Sequence, residues 1–245
     1  MFKALFHDFL YVPIYNLLVF LVDIVPGGDV GLAVVGATII VKLILMPLSL
    51  RAVRTQRQMK LIEPELKALK AKYKDDKERQ AKEMLALYKE HNVRPFASIL
   101  GILIQLPIVI ALYLVFSREA LLNIDPSLLY SFVPVPEMIS PLFLGLLPVT
   151  GASIILAFLA AVAQALHARL SIPMPEASKS KERSMGEDLS RMMAVQARFV
   201  LPVIIGIVGY ITGGAVALYF ITASLVGILQ EAVVRKMKHP ERVSG

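Results

Sequence analysis

Long apolar stretches recur along this sequence, each close to the length that crosses a lipid bilayer. A transmembrane helix needs about 20 consecutive, mainly apolar residues. Five stretches reach that length alone or with their flanks: residues 30–50, 95–116, 141–168, 193–211 and 213–234. Hydrophobic residues make up 56% of the chain, whereas soluble domains contain about 45–50%. The expected fold is therefore an all-α polytopic membrane protein with five transmembrane helices.

A sixth apolar stretch, Phe9–Val25, lies within the N-terminal residues 1–29 and is ended by Pro26 and two glycines. It carries Asn16 and Asp23, so we expect an N-terminal interfacial helix on the outer side of the membrane. A sixth span is the alternative.

The connections between the later spans differ in composition. The Pro-rich residues 117–140 predict an extracytoplasmic loop with a short surface helix. Residues 169–192 are rich in Pro, Ser and charge and predict a flexible cytoplasmic loop. Residues 235–245 form a basic cytoplasmic tail.

Basic residues are distributed unequally between the two sides of these spans. Of the 26 Lys and Arg residues, 23 lie in residues 51–94, 169–198 and the tail from Arg235. Only Lys3 and Arg118 fall on the opposite side. The positive-inside rule places the 23 in the cytoplasm, so the first span enters from outside and the C-terminus is cytoplasmic.

Residues 51–94 predict a cytoplasmic helical hairpin. An apolar stripe recurs at three- and four-residue steps in its first half, and a weaker one follows in its second half. The residues of the two stripes are Met59, Ile62, Leu66, Leu69, Tyr73, Met84, Leu87, Tyr88 and His91. Asp75 or Asp76 is expected to cap the second helix, and Pro64 to bend the first.

Lys42 is the residue within the spans that most suggests a function. A lysine within the hydrocarbon costs on the order of 2.5–3.5 kcal/mol, and such residues usually face the bundle interior or a hydrated cavity. Thr38 and Ser49 are predicted to share its helix face, which favours a hydrated cavity over a side chain that snorkels to the interface. The acidic candidates Glu119 and Glu231 lie at span ends, so we expect Lys42 to have no acidic partner.

Other polar side chains inside the predicted spans can join helices or line a common groove with Lys42. They are Gln105, Tyr113, Gln164, Tyr219, Thr222 and Ser224. The four His residues are scattered, and there is no Cys, so we expect no metal site. Nucleotide-binding and hydrolase motifs are also missing, which predicts a protein that is not an enzyme and needs no cofactor.

In this order, the segments resemble the YidC/Oxa/Alb insertase family over nearly the whole chain. The resemblance rests on GLAVVGATIIVKLILMPLSLR at Gly31–Arg51 and QRQMKLIEPELKALKAKYKDDKERQAKEMLALYKEHNVRPF at Gln56–Phe96. It also rests on LIQLPIVIALY at Leu103–Tyr113 and on Leu218-Tyr219-Phe220 in the last span.

The resemblance implies an insertase that inserts and helps fold membrane proteins through a hydrophilic groove open to cytoplasm and lipid. Within that groove it assigns the basic position to Lys42, where the family usually has arginine, a polar position to Thr38 and an aromatic position to Phe220. Lysine keeps the charge but cannot bind a carboxylate in the bidentate manner of arginine. Expected partners are nascent membrane proteins and lipids, with the ribosome and the Sec translocon as further candidates and without a direct nucleic-acid function. The expected location is a bacterial cytoplasmic membrane.

Two other functions compete with this interpretation. A small transporter or channel could use Lys42 as an anion or proton site, although the chain shows no internal repeat of the kind common in transporters. A membrane enzyme of lipid metabolism would need clustered acids or histidines near the interface, and the sequence contains no such cluster.

Overall fold

The computed structural model describes residues 2–91, 106–115, 123–172, 192 and 194–236, which are mostly helical. The main helices, in chain order, are α1 (Phe2–Phe6), α2 (Val12–Ile24), α3 (Val30–Ile44), α4 (Met46–Leu61), α5 (Glu63–Lys72), α6 (Lys77–Glu90), α7 (Leu106–Val115), α8 (Ile154–Ser171), α9 (Leu201–Thr212) and α10 (Gly214–Lys236). Two strands, β1 (Leu142–Phe143) and β2 (Leu147–Pro148), pair antiparallel. Two π-helical turns, His7–Tyr11 and Gln196–Val200, precede α2 and α9, and two 3-10 turns, Pro26–Gly28 and Pro126–Leu128, lie in the connections.

Among the described residues, three helical segments are long and apolar enough to cross a membrane. They are Lys3–Ile24, Ile154–Ser171 and Gly214–Val233. Three shorter apolar helical segments accompany them: Val30–Ile44, Leu106–Val115 and Gln196–Thr212. These helices agree with an all-α membrane protein. The predicted loop 169–192 and the tail 235–245 lie largely outside the described residues, as do residues 95–105 of the second predicted span.

The predicted first span, residues 30–50, is divided in the structure. Helix α3 ends at Ile44 and α4 begins at Met46. Pro47 explains the interruption, because proline has no N–H to donate to the preceding turn and disfavours helical geometry in the residue before it. At 15 residues, α3 is about 22 Å long at 1.5 Å per residue.

The chain divides into two compact units. The first unit comprises Met1–Leu43 and Pro107–Ala232, and it contains α1, α2, α8 and α9 together with most of α3, α7 and α10. Within it, α8 packs along α9. Small residues allow this approach, since a Cβ on Gly206 would lie 3.1 Å from the Ala161 Cβ.

In the first unit, the start of α3 is tied to the segment that precedes α8. The Asp29 side chain accepts hydrogen bonds from Leu32 N, at 2.9 Å, and from Leu144 N, at 2.6 Å. Ser140 exchanges backbone bonds with Gly28 and Val30. Further along, Gly214 N donates to Gly151 O and Ala215 N to Val149 O. Backbone hydrogen bonds therefore join the N-terminal ends of α3 and α10 to residues 140–151, directly before α8.

Helix α2 packs against residues 123–130 of the same unit. The buried Asn16 amide donates to Leu128 O at 2.8 Å and accepts from Tyr130 N at 2.7 Å. The Tyr15 hydroxyl accepts from Asp125 N at 2.9 Å. These bonds satisfy the backbone of an irregular segment along one side of α2.

The second unit, Ile44–Leu106 with Val233–Gly245, contains the predicted hairpin. Its core is Ile62 and Leu66, against which Met59, Met84, Leu87 and Tyr88 pack, so six of the nine residues of the predicted stripes pack together. The Asp76 side chain accepts from Arg79 N and caps α6, as predicted. Pro64 lies in the first turn of α5, where a backbone N–H would have no partner within the helix. The helix is interrupted just before this turn.

Candidate functional site

Thr38 and Tyr219 line the same small cavity in the first unit. Its other lining residues are Ile14, Leu17, Ala37, Val41, Ile108 and Leu112, so α2, α3, α7 and α10 converge there. The cavity has about 10 Å³ open to the centre of a water molecule, roughly the space that one water occupies. The Thr38 hydroxyl donates to Val34 O at 2.7 Å, which satisfies its proton within α3.

Lys42 lies one turn beyond Thr38 and in the last turn of α3. A cation near a helix C-terminus interacts favourably with the helix dipole, so the end of α3 favours a charge at this position. The side chain is partly buried. Lys42 therefore carries its charge at the end of α3, rather than in the middle of the single 30–50 helix expected from sequence.

A row of polar side chains joins α8 to α10. The Ser224 hydroxyl donates to Gln164 Oε1 at 2.9 Å. One turn further along both helices, the His167 ring lies against the backbone of Gly227. A Cβ on Gly227 would lie 2.5 Å from His167 Nε2, so glycine is required for this contact.

Glu231 lies one turn beyond Gly227 on α10 and is only 5% exposed. Its place near the end of the span therefore does not expose it, and Glu231 is packed within the unit one turn from the contact of His167 with Gly227.

His167 and Glu231 were not predicted as site residues, because the four histidines are scattered along the chain and Glu231 lies at the end of a predicted span. Their spacing in the sequence does indicate that they share a helix face with other polar or small residues. Ser224, Gly227 and Glu231 follow the three- and four-residue steps of one helix face, and Gln164 and His167 follow a three-residue step. Such a spacing places each set on one side of its helix.

The other residues predicted for the site are distributed more widely. The buried Thr222 donates to Leu218 O within α10, at 2.8 Å. Phe220 is half-buried and makes an edge-on ring contact with Tyr219. Tyr113 is 40% exposed on α7. Ser49 belongs to the second unit, where it donates to Leu45 O, and Gln105 lies outside the described residues.

The chemistry of these groups suits non-covalent binding. The site combines a cation, a carboxylate, an imidazole and neutral hydrogen-bonding groups. In the part of the chain that the structure describes, no three His, Asp or Glu residues are grouped so that they could hold a metal ion. The described residues also include one buried amide, Gln230 Nε2, that lacks a hydrogen-bond partner, which is uncommon for a buried donor.

The Ser224–Gln164 hydrogen bond is expected to stabilise the α8–α10 contact modestly. Such bonds between membrane helices average about 0.6 kcal/mol and reach about 1.7 kcal/mol. Ser224→Ala should lower the free energy of unfolding in detergent micelles by about 0.6–1.7 kcal/mol. Thr222→Val is the matched control, because the Thr222 hydroxyl bonds within its own helix. A double-mutant cycle with Gln164→Ala that gives no coupling would contradict the expectation.

The chain is similar in sequence to a known protein family and to several named proteins. The family described as 60Kd inner membrane protein matches residues 20–241. A protein named membrane protein insertase YidC from Clostridium tetani is 30% identical over 213 residues, covering 87% of this chain and 84% of that protein. One of the same name from Fusobacterium nucleatum is 29% identical over 209 residues, covering 85% and 87%. A third, from Actinobacillus pleuropneumoniae, is 39% identical over 118 residues, which are 48% of this chain and 21% of that protein.

Proposed function

This chain belongs to the 60Kd inner membrane protein family, the YidC/Oxa/Alb family that its motifs resemble, and we propose that it is a membrane protein insertase of a bacterial cytoplasmic membrane. Its activity is the insertion and folding of nascent membrane proteins and not an enzymatic reaction. The relatives' printed names and their coverage of most of this chain support the proposal.

The substrate site is a hydrophilic groove around Lys42. The observation that carries this proposal is that Thr38 and Tyr219 face one cavity while Lys42 lies one turn further along α3. Gln164, Thr222 and Phe220 lie on α8 and α10 of the same unit. Tyr113, which is 40% exposed on α7 of the same unit, is a further residue of the groove.

Insertion begins when the short polar or acidic outer segment of a substrate hairpin enters this groove. Transfer of a polar group into hydrocarbon costs several kcal/mol unless hydrogen bonds or charge compensate for it. Lys42 and the neighbouring hydroxyl and amide groups reduce that cost. The apolar helix of the substrate then leaves along the first and last spans into lipid, where burial of apolar area favours release. No step requires a nucleotide.

The outer end of the groove is closed. The bonds that join α3 and α10 to residues 140–151 support this closure, because they hold the connecting segment against the N-terminal ends of both helices. Helix α2 lies in the outer interface, since irregular backbone such as residues 123–130 is not tolerated against the hydrocarbon. The C-terminus and the hairpin are cytoplasmic, following the unequal distribution of basic residues.

The hairpin guides nascent chains towards the groove. Its surface is rich in Lys and Arg, suited to anionic lipids and to the ribosome. We propose the ribosome and the Sec translocon as partners and assign the hairpin no direct role in nucleic-acid binding.

Reconstitution of the full chain tests the proposal. The protein is incorporated into phosphatidylethanolamine–phosphatidylglycerol liposomes without nucleotide, and a single-span substrate with a short acidic outer segment is synthesised in their presence. Protection of that segment from added protease should exceed the level in protein-free liposomes several-fold. Insertion at the background level, together with anion or proton flux through the same liposomes, would show a transporter or channel instead.

A further inference from the structure

The β-hairpin of residues 142–148, formed by β1, β2 and their turn, packs on the protein through one side and leaves a row of leucines exposed. Phe143 contacts α3, since a Cβ on Gly31 would lie 2.6 Å from the Phe143 Cβ. Leu142, Leu144 and Leu146 alternate with these contacts and are between 36% and 80% exposed. An antiparallel hairpin that faces water on one side normally carries polar residues there. The leucines therefore indicate an apolar environment.

The tip of the β-hairpin holds Leu144 in a conformation that leucine rarely adopts. Its φ is 53° and that of Gly145 is 70°, and turns with two such residues are usually built from Gly, Asn or Asp. The Asp29 carboxylate accepts a hydrogen bond from Leu144 N at 2.6 Å and so fixes the backbone of the turn. A residue kept in a strained conformation points to a function, and leucine can offer only an apolar side chain. The tip is thus suited to an apolar partner.

The backbone of this segment meets the main requirement for contact with hydrocarbon, which is that its polar groups are satisfied within the protein. Backbone N–H groups along it have protein acceptors, at Ser140, Leu144, Leu146 and Val149. A loop in water needs no such pairing, because water supplies the acceptors. The pairing therefore favours lipid over water as the environment of the exposed leucines.

The position of the β-hairpin in the chain places it at the outer boundary of the hydrocarbon. It lies shortly before α8, whose 18 residues extend about 27 Å at 1.5 Å per residue and nearly cover a hydrocarbon core of about 30 Å. Between Glu137 and Arg169 the sequence contains no Asp, Glu, Lys or Arg. The exposed apolar side chains of α8, which begin at Ile154 and include Phe158, therefore continue the apolar surface of the β-hairpin along the chain.

We propose that the β-hairpin inserts into the outer leaflet, with Leu144 and Leu146 among the lipid acyl chains. Asp29 positions the tip, and the contact of Phe143 with α3 anchors it. The partner is lipid hydrocarbon, so the contact requires no particular headgroup. Insertion holds the N-terminal ends of α3 and α10 at a fixed depth in the membrane, whether or not a substrate occupies the groove.

Tryptophan fluorescence tests the insertion directly, because the sequence contains no tryptophan. The full chain is reconstituted as Leu146→Trp in phosphatidylethanolamine–phosphatidylglycerol liposomes that contain phosphatidylcholine brominated on its acyl chains. Leu85→Trp in the helical hairpin and Phe158→Trp on α8 are the matched references, since Leu85 is 65% and Phe158 67% exposed. Leu146→Trp should emit at a shorter wavelength than Leu85→Trp. It should be quenched by the brominated lipid and protected from aqueous iodide, as Phe158→Trp should be.

Two results would overturn the proposal. Quenching of Leu146→Trp by iodide and not by brominated lipid would place the tip in water. Resistance to both quenchers would show that protein, such as a second copy of the chain, covers it. Thermal unfolding in detergent checks that the variant keeps the fold. Because the chain has no cysteine, Leu146→Cys labelled with a small environment-sensitive fluorophore provides the same test through a different side chain.

Discussion

Lys42→Glu should reduce insertion of a substrate with an acidic outer segment by more than about tenfold, whereas Lys42→Arg should retain insertion. Two unit charges about 4 Å apart interact by roughly 4 kcal/mol at an effective dielectric of about 20, and hydration of the partly buried site lowers that value. The glutamate replaces attraction with repulsion. Arginine keeps the charge, and its planar group can bind a carboxylate in two places. Protease protection of the outer segment in liposomes measures the effect.

Two further variants separate the local charge from other changes. Lys42→Gln removes the charge without adding another, and it should fall between wild type and Lys42→Glu. Lys3→Glu makes the same charge change at an exposed position in α1, and it should insert acidic substrates at the wild-type level. Equal insertion by Lys42→Glu, Lys42→Gln and wild type would remove Lys42 from the mechanism.

Gly28→Ala is expected to destabilise the protein far more than Gly27→Ala. Both glycines have positive φ, 69° at Gly27 and 61° at Gly28. An alanine in this left-handed region lowers the free energy of unfolding by roughly 1–2 kcal/mol. No further loss is expected at Gly27, because nothing lies within 4 Å of its added Cβ. At Gly28 the Cβ would overlap the Met138 carbonyl oxygen, which is backbone and cannot move away as a side chain does.

The clash at Gly28 also acts on the contact that joins the start of α3 to Ser140. Gly28 O accepts from Ser140 N at 2.8 Å, and Ser140 O accepts from Val30 N at 3.1 Å. A total loss of about 4–5 kcal/mol is expected, a size that only strain, clashes or lost buried networks produce. Thermal unfolding in detergent measures it, and hydrogen exchange should show lost protection at Val30 and Ser140. Similar melting temperatures for the two alanine variants would contradict the predicted clash.

These two predictions concern opposite ends of the same unit. The Gly28 contact lies at the end where α3 and α10 begin, which we propose to be closed, and Lys42 lies at the other end of α3. A variant that disrupts the closed end at Gly28 should let small solutes leak through reconstituted membranes. Its preference for acidic or basic substrates should change less. Substitution of Lys42 should change the preference for acidic substrates without causing leakage.

The sequence by itself determined the features that depend on neighbours along the chain. Apolar stretches indicated an all-α membrane protein, because length and composition are local properties. Helical spacing identified Ile62 and Leu66 as the hairpin core, and the local chemistry of Asp76 and Pro64 fixed where helices in the hairpin begin.

Tertiary structure alone decided which polar side chains meet. The rotation of each helix about its axis turns His167 towards Gly227 and buries Glu231, and no neighbour in sequence specifies that rotation. Packing of small residues sets this rotation, because a side chain at position 227 would occupy the space that the His167 imidazole fills. His167 and Gly227 are 60 residues apart in sequence, so their contact exists only after two helices have packed together.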